Sequence, residues 1–353
     1  MAEALAAEPL APLYVQVGTA GCEWFFEHSA ESIYALTLAY PHLSFRLRKR
    51  VRDHLGREFK DRPPWRPDSR YEFRQGNRRE RFMLPPNIFR RGLKEHDPHP
   101  IAYLYPTWLY SATFSQWEQL EAAWPELQRT FERFVRTLPL QSARERQFSN
   151  AYIAGLIGFA RLAKHYGRNE LADQAAGLAA RLAEELVKRY RADVTRLTYR
   201  RIENVRQIDS LLRDGDGLFL VTAGHKAKPA KLMYLTPPLA QALRRYASKA
   251  AQSYLSYVRR TMPAWYLVGE ERQVHTGENL MHYPNFSLAL FKGNVLLDDP
   301  SPEDVDRWTD MAWCVGDWTY VEKLVWAIRY LQQQHAQRTG SGKLPVEAMR
   351  RQE

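Results

Sequence analysis

Two neighbouring stretches decide how this chain folds. The first is Asn150 to Tyr166, NAYIAGLIGFARLAKHY, and the second is Asn169 to Tyr190, NELADQAAGLAARLAEELVKRY. The first reads as an apolar helix, and its Gly155 and Gly158 allow another backbone to approach closely. Gly167 ends it, because glycine takes the left-handed conformation that closes many helices. The second stretch, rich in Ala and Leu, then predicts a partner helix, so the pair reads as a helical hairpin.

The same pattern extends outward in both directions. Glu31 to Tyr40 carries Ile33, Leu36 and Tyr40 at helical spacing and stops at Pro41. Ser44 is placed to cap the next helix, Phe45 to Phe59, which is amphipathic through Leu47, Val51 and Leu55. Tyr103 to Thr113 leads through Ser115 into Gln116 to Thr137. Further helices are expected at Pro238–Thr261, Pro284–Leu297, Pro302–Val315 and Thr319–Gln334. Two regions break the pattern. Residues 60–100 hold seven prolines among many arginines and read as a long irregular excursion. Residues 195–235 contain the β-prone runs Leu197–Ile202 and Leu218–Thr222 around Asp214-Gly215-Asp216-Gly217, which reads as a small β insertion. The tail from His335, and 341–353 above all, is polar and reads as frayed.

The totals limit what the protein can be. With 353 residues and 45% hydrophobic composition it can bury a large core, here taken as one domain over 1–340. A net charge of +11 favours polyanionic partners, and the arginines that make it are spread through segments such as Arg46–Arg57 and Arg70–Arg81. Cys22 and Cys314 are too few for a disulfide scaffold or a four-cysteine zinc site. They read as buried thiols, or as a pair if a closed ring brings the chain ends together. No segment reaches about 18 continuous apolar residues, so no membrane span is expected. No signal peptide is read at the N-terminus, which opens without a clear first element, as a piece of a longer protein would.

An internal repeat supports distinct hairpins. Thr107-Trp108-Leu109-Tyr110 precedes Phe114-Ser115-Gln116-Trp117-Glu118, and Asp310-Met311-Ala312-Trp313 precedes Gly316-Asp317-Trp318-Thr319-Tyr320. Each reads as helix, short turn, Trp, helix, with the Trp filling the corner. The copies lie about 200 residues apart, too far for a regular array of 34-residue units.

The turn Trp313-Cys314-Val315-Gly316-Asp317-Trp318 is similar to one common in the α/α-toroid domains of bacterial carbohydrate-active proteins. Tyr152 to Leu156 followed by Leu162 to Gly167, and Glu23 to His28 ahead of Ser32 to Leu36, also resemble hairpins of such domains. The resemblance covers about two thirds of the chain. It implies a mostly all-α fold, an α/α-hairpin toroid or incomplete (α/α) barrel. That fold type includes glycoside hydrolases, polysaccharide lyases and non-catalytic relatives, and the fold does not choose among them.

Four constellations could carry chemistry. In Glu23-Trp24-Phe25-Phe26-Glu27-His28, a helix would put the two carboxylates on one face and Trp24 with His28 on the neighbouring one. Paired carboxylates serve glycoside hydrolysis, and an indole offers a flat surface to a sugar ring. Against this, such a pair usually comes from different elements, and Trp24 can be core. Second, His275 to Asn285, which includes Glu278, lies in a loop before a helix, and His282, Tyr283 and Asn285 offer the acid, base and carboxylate-neutralising groups of a uronate lyase. Third, Thr222-Ala223-Gly224-His225-Lys226 with Lys228 and Lys231 is a basic loop able to grip an anion, without the pattern of a phosphate loop. Fourth, Arg79 sits in the arginine-rich segment 70–81, where guanidinium groups suit carboxylates. No motif here implies a metal or a cofactor.

The expected function is therefore a carbohydrate-active domain acting on a poly- or oligosaccharide, possibly acidic. Hydrolysis would pair Glu23 or Glu27 with Glu278 or Asp317. Elimination would use His282 and Tyr283, with Arg79 neutralising the uronate. Trp24, His28, Trp108, His225 and Asn285 would bind substrate. The competing expectation is a non-catalytic glycan-binding or assembly module. Nucleic-acid binding rests on charge alone.

Overall fold

The computed structural model describes residues 28–69, 99–138 and 149–197, with a few positions within 241–245 and 324–332. All regular structure among the described residues is helical. It falls into three consecutive hairpins. In the first, α1 (Ser29–Ala39) turns through a 3-10 segment, Tyr40–His42, into α2 (Phe45–Asp61). In the second, a 3-10 turn at Pro100–Tyr103 leads into α3 (Leu104–Phe114), followed by α4 (Glu118–Thr137). The third joins α5 (Ser149–His165) to α6 (Asn169–Leu197).

Within each hairpin the two helices differ in kind. All eleven residues of α1 are buried, as is α5 from Ala151 to Ala160. Both are apolar nearly all round, as a helix enclosed by others must be. By contrast, α2 and α4 are two-faced. In α4, Leu120, Trp124, Leu127, Phe131 and Phe134 recur at alternating steps of four and three and form the buried stripe. In α2, Val51, His54, Leu55, Glu58 and Phe59 are buried, while most of the remaining face is Arg and Lys.

Side-chain contacts fix the directions. Pairing of His28 with Tyr103, Tyr34 with Tyr105 and Tyr40 with Phe114 advances along both chains, so α1 and α3 run parallel. Gly155 meets Ile101 and Gly158 meets Leu104, so α3 and α5 also run parallel. On α4, Phe134 pairs with Tyr152, Phe131 with Phe159 and Trp124 with Tyr166, so α4 runs antiparallel to α5. Three parallel helices, α1, α3 and α5, thus stand in a row, with α3 buried on about half of its surface.

The glycines do what the sequence suggested. A Cβ on Gly155 would lie 1.9 Å from the Ile101 carbonyl oxygen, and one on Gly158 would lie 2.3 Å from that of Leu104. Only glycine permits this approach. Gly167 has φ +69°. The Arg168 amide donates to the Ala163 carbonyl (2.8 Å) and the Gly167 amide to that of Lys164 (3.1 Å), the two bonds of a Schellman closure. The α3–α4 corner is closed by Ser115 at φ 56°, with the Gln116 amide donating to Ser111.

Some details differ from expectation. Ser44 makes no side-chain cap; its carbonyl accepts the Arg48 amide as the helix begins. Glu118 starts α4, and α6 runs on to Leu197, so the first residue of the expected β-prone run is helical. The rest of the expected insertion, the later helices, both cysteines and the second Trp motif lie outside the described residues. The opening of the Pro-rich excursion, residues 62–69, is a set of tight turns that returns to the start of α1. There the Ser29 amide donates to Ser69 (3.1 Å) and the Ser29 hydroxyl to Arg62 (2.7 Å). Trp65 is buried against Phe59 and donates through Nε1 to Glu126.

Candidate functional site

Of the residues expected to form a site, Glu23, Trp24, Glu27, Arg79, His225, Glu278, His282, Tyr283, Asn285 and Asp317 lie outside the described residues. His28 and Trp108 lie within them.

His28 is not on the helical face expected for it. Its backbone is extended (φ −133°, ψ 141°) and it caps α1. Its Nδ1 accepts the Ala30 amide (3.2 Å), Nε2 donates to the Arg66 carbonyl (2.8 Å), and the ring stacks on Tyr103 at 3.8 Å. Both nitrogens are therefore engaged inside the protein, and the ring is buried. A capping role accounts for each contact; substrate contact at this residue would need the cap to open. Trp108 is half-buried on α3, with the Arg161 guanidinium 4.0 Å from its ring centroid and Tyr105 beside it.

The described residues also form a cleft that the sequence reading had not singled out. It holds about 600 Å³ between the second half of α2 and the end of α3. Arg52, Arg57 and Lys60 line one side, and Tyr110, Phe114 and Gln116 the other. The geometry follows from local sequence. On α2, Phe59 and Leu55 turn into the core, which leaves the cations between them facing outward. Phe59 stacks on Tyr110 with ring centroids 4.2 Å apart, which joins α2 to α3 beneath the cleft. Gly56 keeps the floor open: a Cβ there would lie 3.8 Å from the Tyr110 hydroxyl.

The lining carries three cations, Arg52, Arg57 and Lys60, and two carboxylates, Asp53 and Asp61. Arg52, Arg57 and Lys60 have no ion pair or hydrogen bond among the described residues; the two described salt bridges are Arg62–Glu58 and Arg66–Glu126. Burial pushes the Tyr110 phenol up to about 12, against the opposing pull of Arg52. It stays protonated at neutral pH and is a hydrogen-bond donor, not a base. Behind the cleft, burial and then the charge of Arg57 lower His54 to about 4, so it is neutral and gives the site no proton.

The cleft combines cationic side chains with the flat apolar surface of Tyr110 and Phe114. Two carboxylates, Asp53 and Asp61, also line it. Eight residues of helix set their backbones about 12 Å apart along the axis, a wide spacing for two carboxyls that must come within ~9.5 Å of each other in a glycosidase pair. Among the described residues no group of three or more His, Cys, Asp or Glu could hold a metal, and no helix is long and apolar enough to cross a membrane. Comparison with known proteins gives no match to a family model, a curated protein or a solved structure. The signal that could have found the cleft is the charge of α2, seven Arg or Lys against three Asp or Glu.

Proposed function

We propose that the chain is a carbohydrate-active domain that takes an acidic poly- or oligosaccharide, with the α2–α3 cleft as part of its binding surface. The observation that carries this reading is the cleft itself: three cations with no ion pair among the described residues, outnumbering Asp53 and Asp61 beside them and facing a protonated phenol and an amide. Guanidinium groups suit carboxylates, and phenol and amide suit hydroxyls. The proposal includes a toroidal layout in which the row of parallel inner helices continues round a ring, with two-faced helices outside. The alternation of α1, α3 and α5 with α2 and α4 supports it.

The chemistry would fall to residues outside the cleft. Hydrolysis would pair Glu23 or Glu27 with Glu278 or Asp317, and elimination would use His282 and Tyr283 with Arg79. A second reading, a non-catalytic glycan-binding module, is favoured by the wide spacing of Asp53 and Asp61. One experiment separates these. The protein is incubated with neutral and uronate polysaccharides while reducing ends and the ultraviolet absorbance of unsaturated uronates are followed. Reducing ends alone mean hydrolysis, and both signals mean elimination. Binding without either signal selects the module. Tighter binding to single-stranded nucleic acid than to any uronate polymer would sink the saccharide reading.

A further inference from the structure

We infer that the Trp108–Arg161 stack is a separate receiving point for a carboxylate. Arg161 follows the fully buried run of α5 and is itself half-buried, with its guanidinium 4.0 Å from the Trp108 centroid. It makes no hydrogen bond or ion pair to any described residue. The guanidinium carbon sits over the indole, and no hydrogen bond to a described residue occupies its N–H donors. An arginine held against an indole in this way keeps a fork of donors suited to a carboxylate, and less side-chain freedom remains to be lost on binding.

The surroundings favour the same ligand. Lys164, His165 and Arg168 are exposed on the same stretch, and α5 contains no Asp or Glu. One turn along α5 from Arg161, His165 stacks on Trp117 at 3.7 Å, so two indoles lie against this basic edge. Gly158 seats α5 against the backbone of Leu104 and Tyr105, at the foot of the helix that carries Trp108, which holds the two helices in close register. On α3, Trp108 and Tyr110 are two residues apart and point to different sides, so this point is distinct from the cleft. It rests on the saccharide reading only for the source of the carboxylate.

The test is a fluorescence titration read as the difference between wild type and Trp108→Phe, with D-galacturonate, D-galactose and acetate as probes. A response to galacturonate and acetate but not to galactose is expected. A response to galacturonate alone keeps the subsite and ties it to uronates. Arg161→Lys keeps the charge and loses the planar fork, and should raise the half-saturating concentration at least about tenfold. Arg161→Gln, with its fold checked by circular dichroism, should lose the response. An equal response to galactose, or titrations unchanged in both variants, overturns the proposal. The Arg52→Ala/Arg57→Ala/Lys60→Ala variant separates the two sites. A Trp108 response that survives it belongs to Arg161, and one that vanishes with it belongs to the cleft and overturns the separate subsite.

Discussion

At Gly158 and Gly177 the same substitution should have opposite effects. A Cβ on Gly158 would meet the Leu104 carbonyl oxygen at 2.3 Å, and nothing in that backbone contact can turn aside. Gly158→Ala should cost about 3 kcal/mol through overpacking, seen as a lower urea midpoint. Gly177 lies on α6 with nothing within 4 Å of a built Cβ. Gly177→Ala should therefore stabilise by about 0.5–1 kcal/mol through helix propensity alone. If both variants shift in the same direction, the parallel packing of α3 on α5 is wrong. His54 gives a second test. Its folded value is lowered to about 4 from the ordinary 6.5 by burial and then by Arg57, and its Nδ1 has no partner among the described residues. The unfolded chain thus takes up a proton that the folded chain refuses. The stability tied to a neutral His54 is fully present above about pH 6.5 and is lost as pH falls towards 4, by an amount on the order of 3 kcal/mol. His54→Leu should lose less stability than wild type between pH 7 and pH 4.5. Equal losses would place the acid sensitivity elsewhere. His99, lowered to about 4 by burial and then by Arg133, changes stability with pH in the same direction.

Helix ends show how much of the elements could be read in the sequence. Gly155, Gly158 and Gly167 were legible because glycine in an apolar helix or just past its end has few other uses. Ser115 was legible as a corner but not as a left-handed residue, because serine gives no signal for positive φ. That difference can be measured. Ser115→Gly should raise stability by up to about 1 kcal/mol, and Gly167→Ala should lower it by about 1 kcal/mol. If Ser115→Gly destabilises, the α3–α4 corner is not closed as described. The capping role of His28 was not legible for a related reason. Beside Glu27 and Trp24 it looked like chemistry, whereas its role depends on contacts with Arg66 and Tyr103, far away in sequence. The cleft was missed because a basic helix also fits a solvated surface; only the Phe59–Tyr110 stack turns that face into a wall.

At the scale of the whole molecule, a net charge of +11 attracts any polyanion, so binding alone does not identify a site. Diffuse attraction between exposed charges fades as the screening length shrinks, from about 10 Å at 0.1 M salt to about 3 Å at 1 M. A cleft that also offers the Tyr110 hydroxyl and the Gln116 amide has contacts that salt does not screen. Two observables therefore separate the cases. If the cleft is the site, Arg52→Ala/Arg57→Ala/Lys60→Ala should weaken binding of a uronate oligosaccharide at least about tenfold and flatten its salt dependence. Tyr110→Phe should weaken it about threefold or more without changing that slope, since one neutral hydrogen bond is lost and no charge. Neutralising Arg46, Lys49 and Arg50 at the other end of α2 removes the same charge away from the cleft. If that variant weakens binding as much as the cleft variant does, and Tyr110→Phe changes nothing, the attraction belongs to the overall charge and the cleft has no specific role.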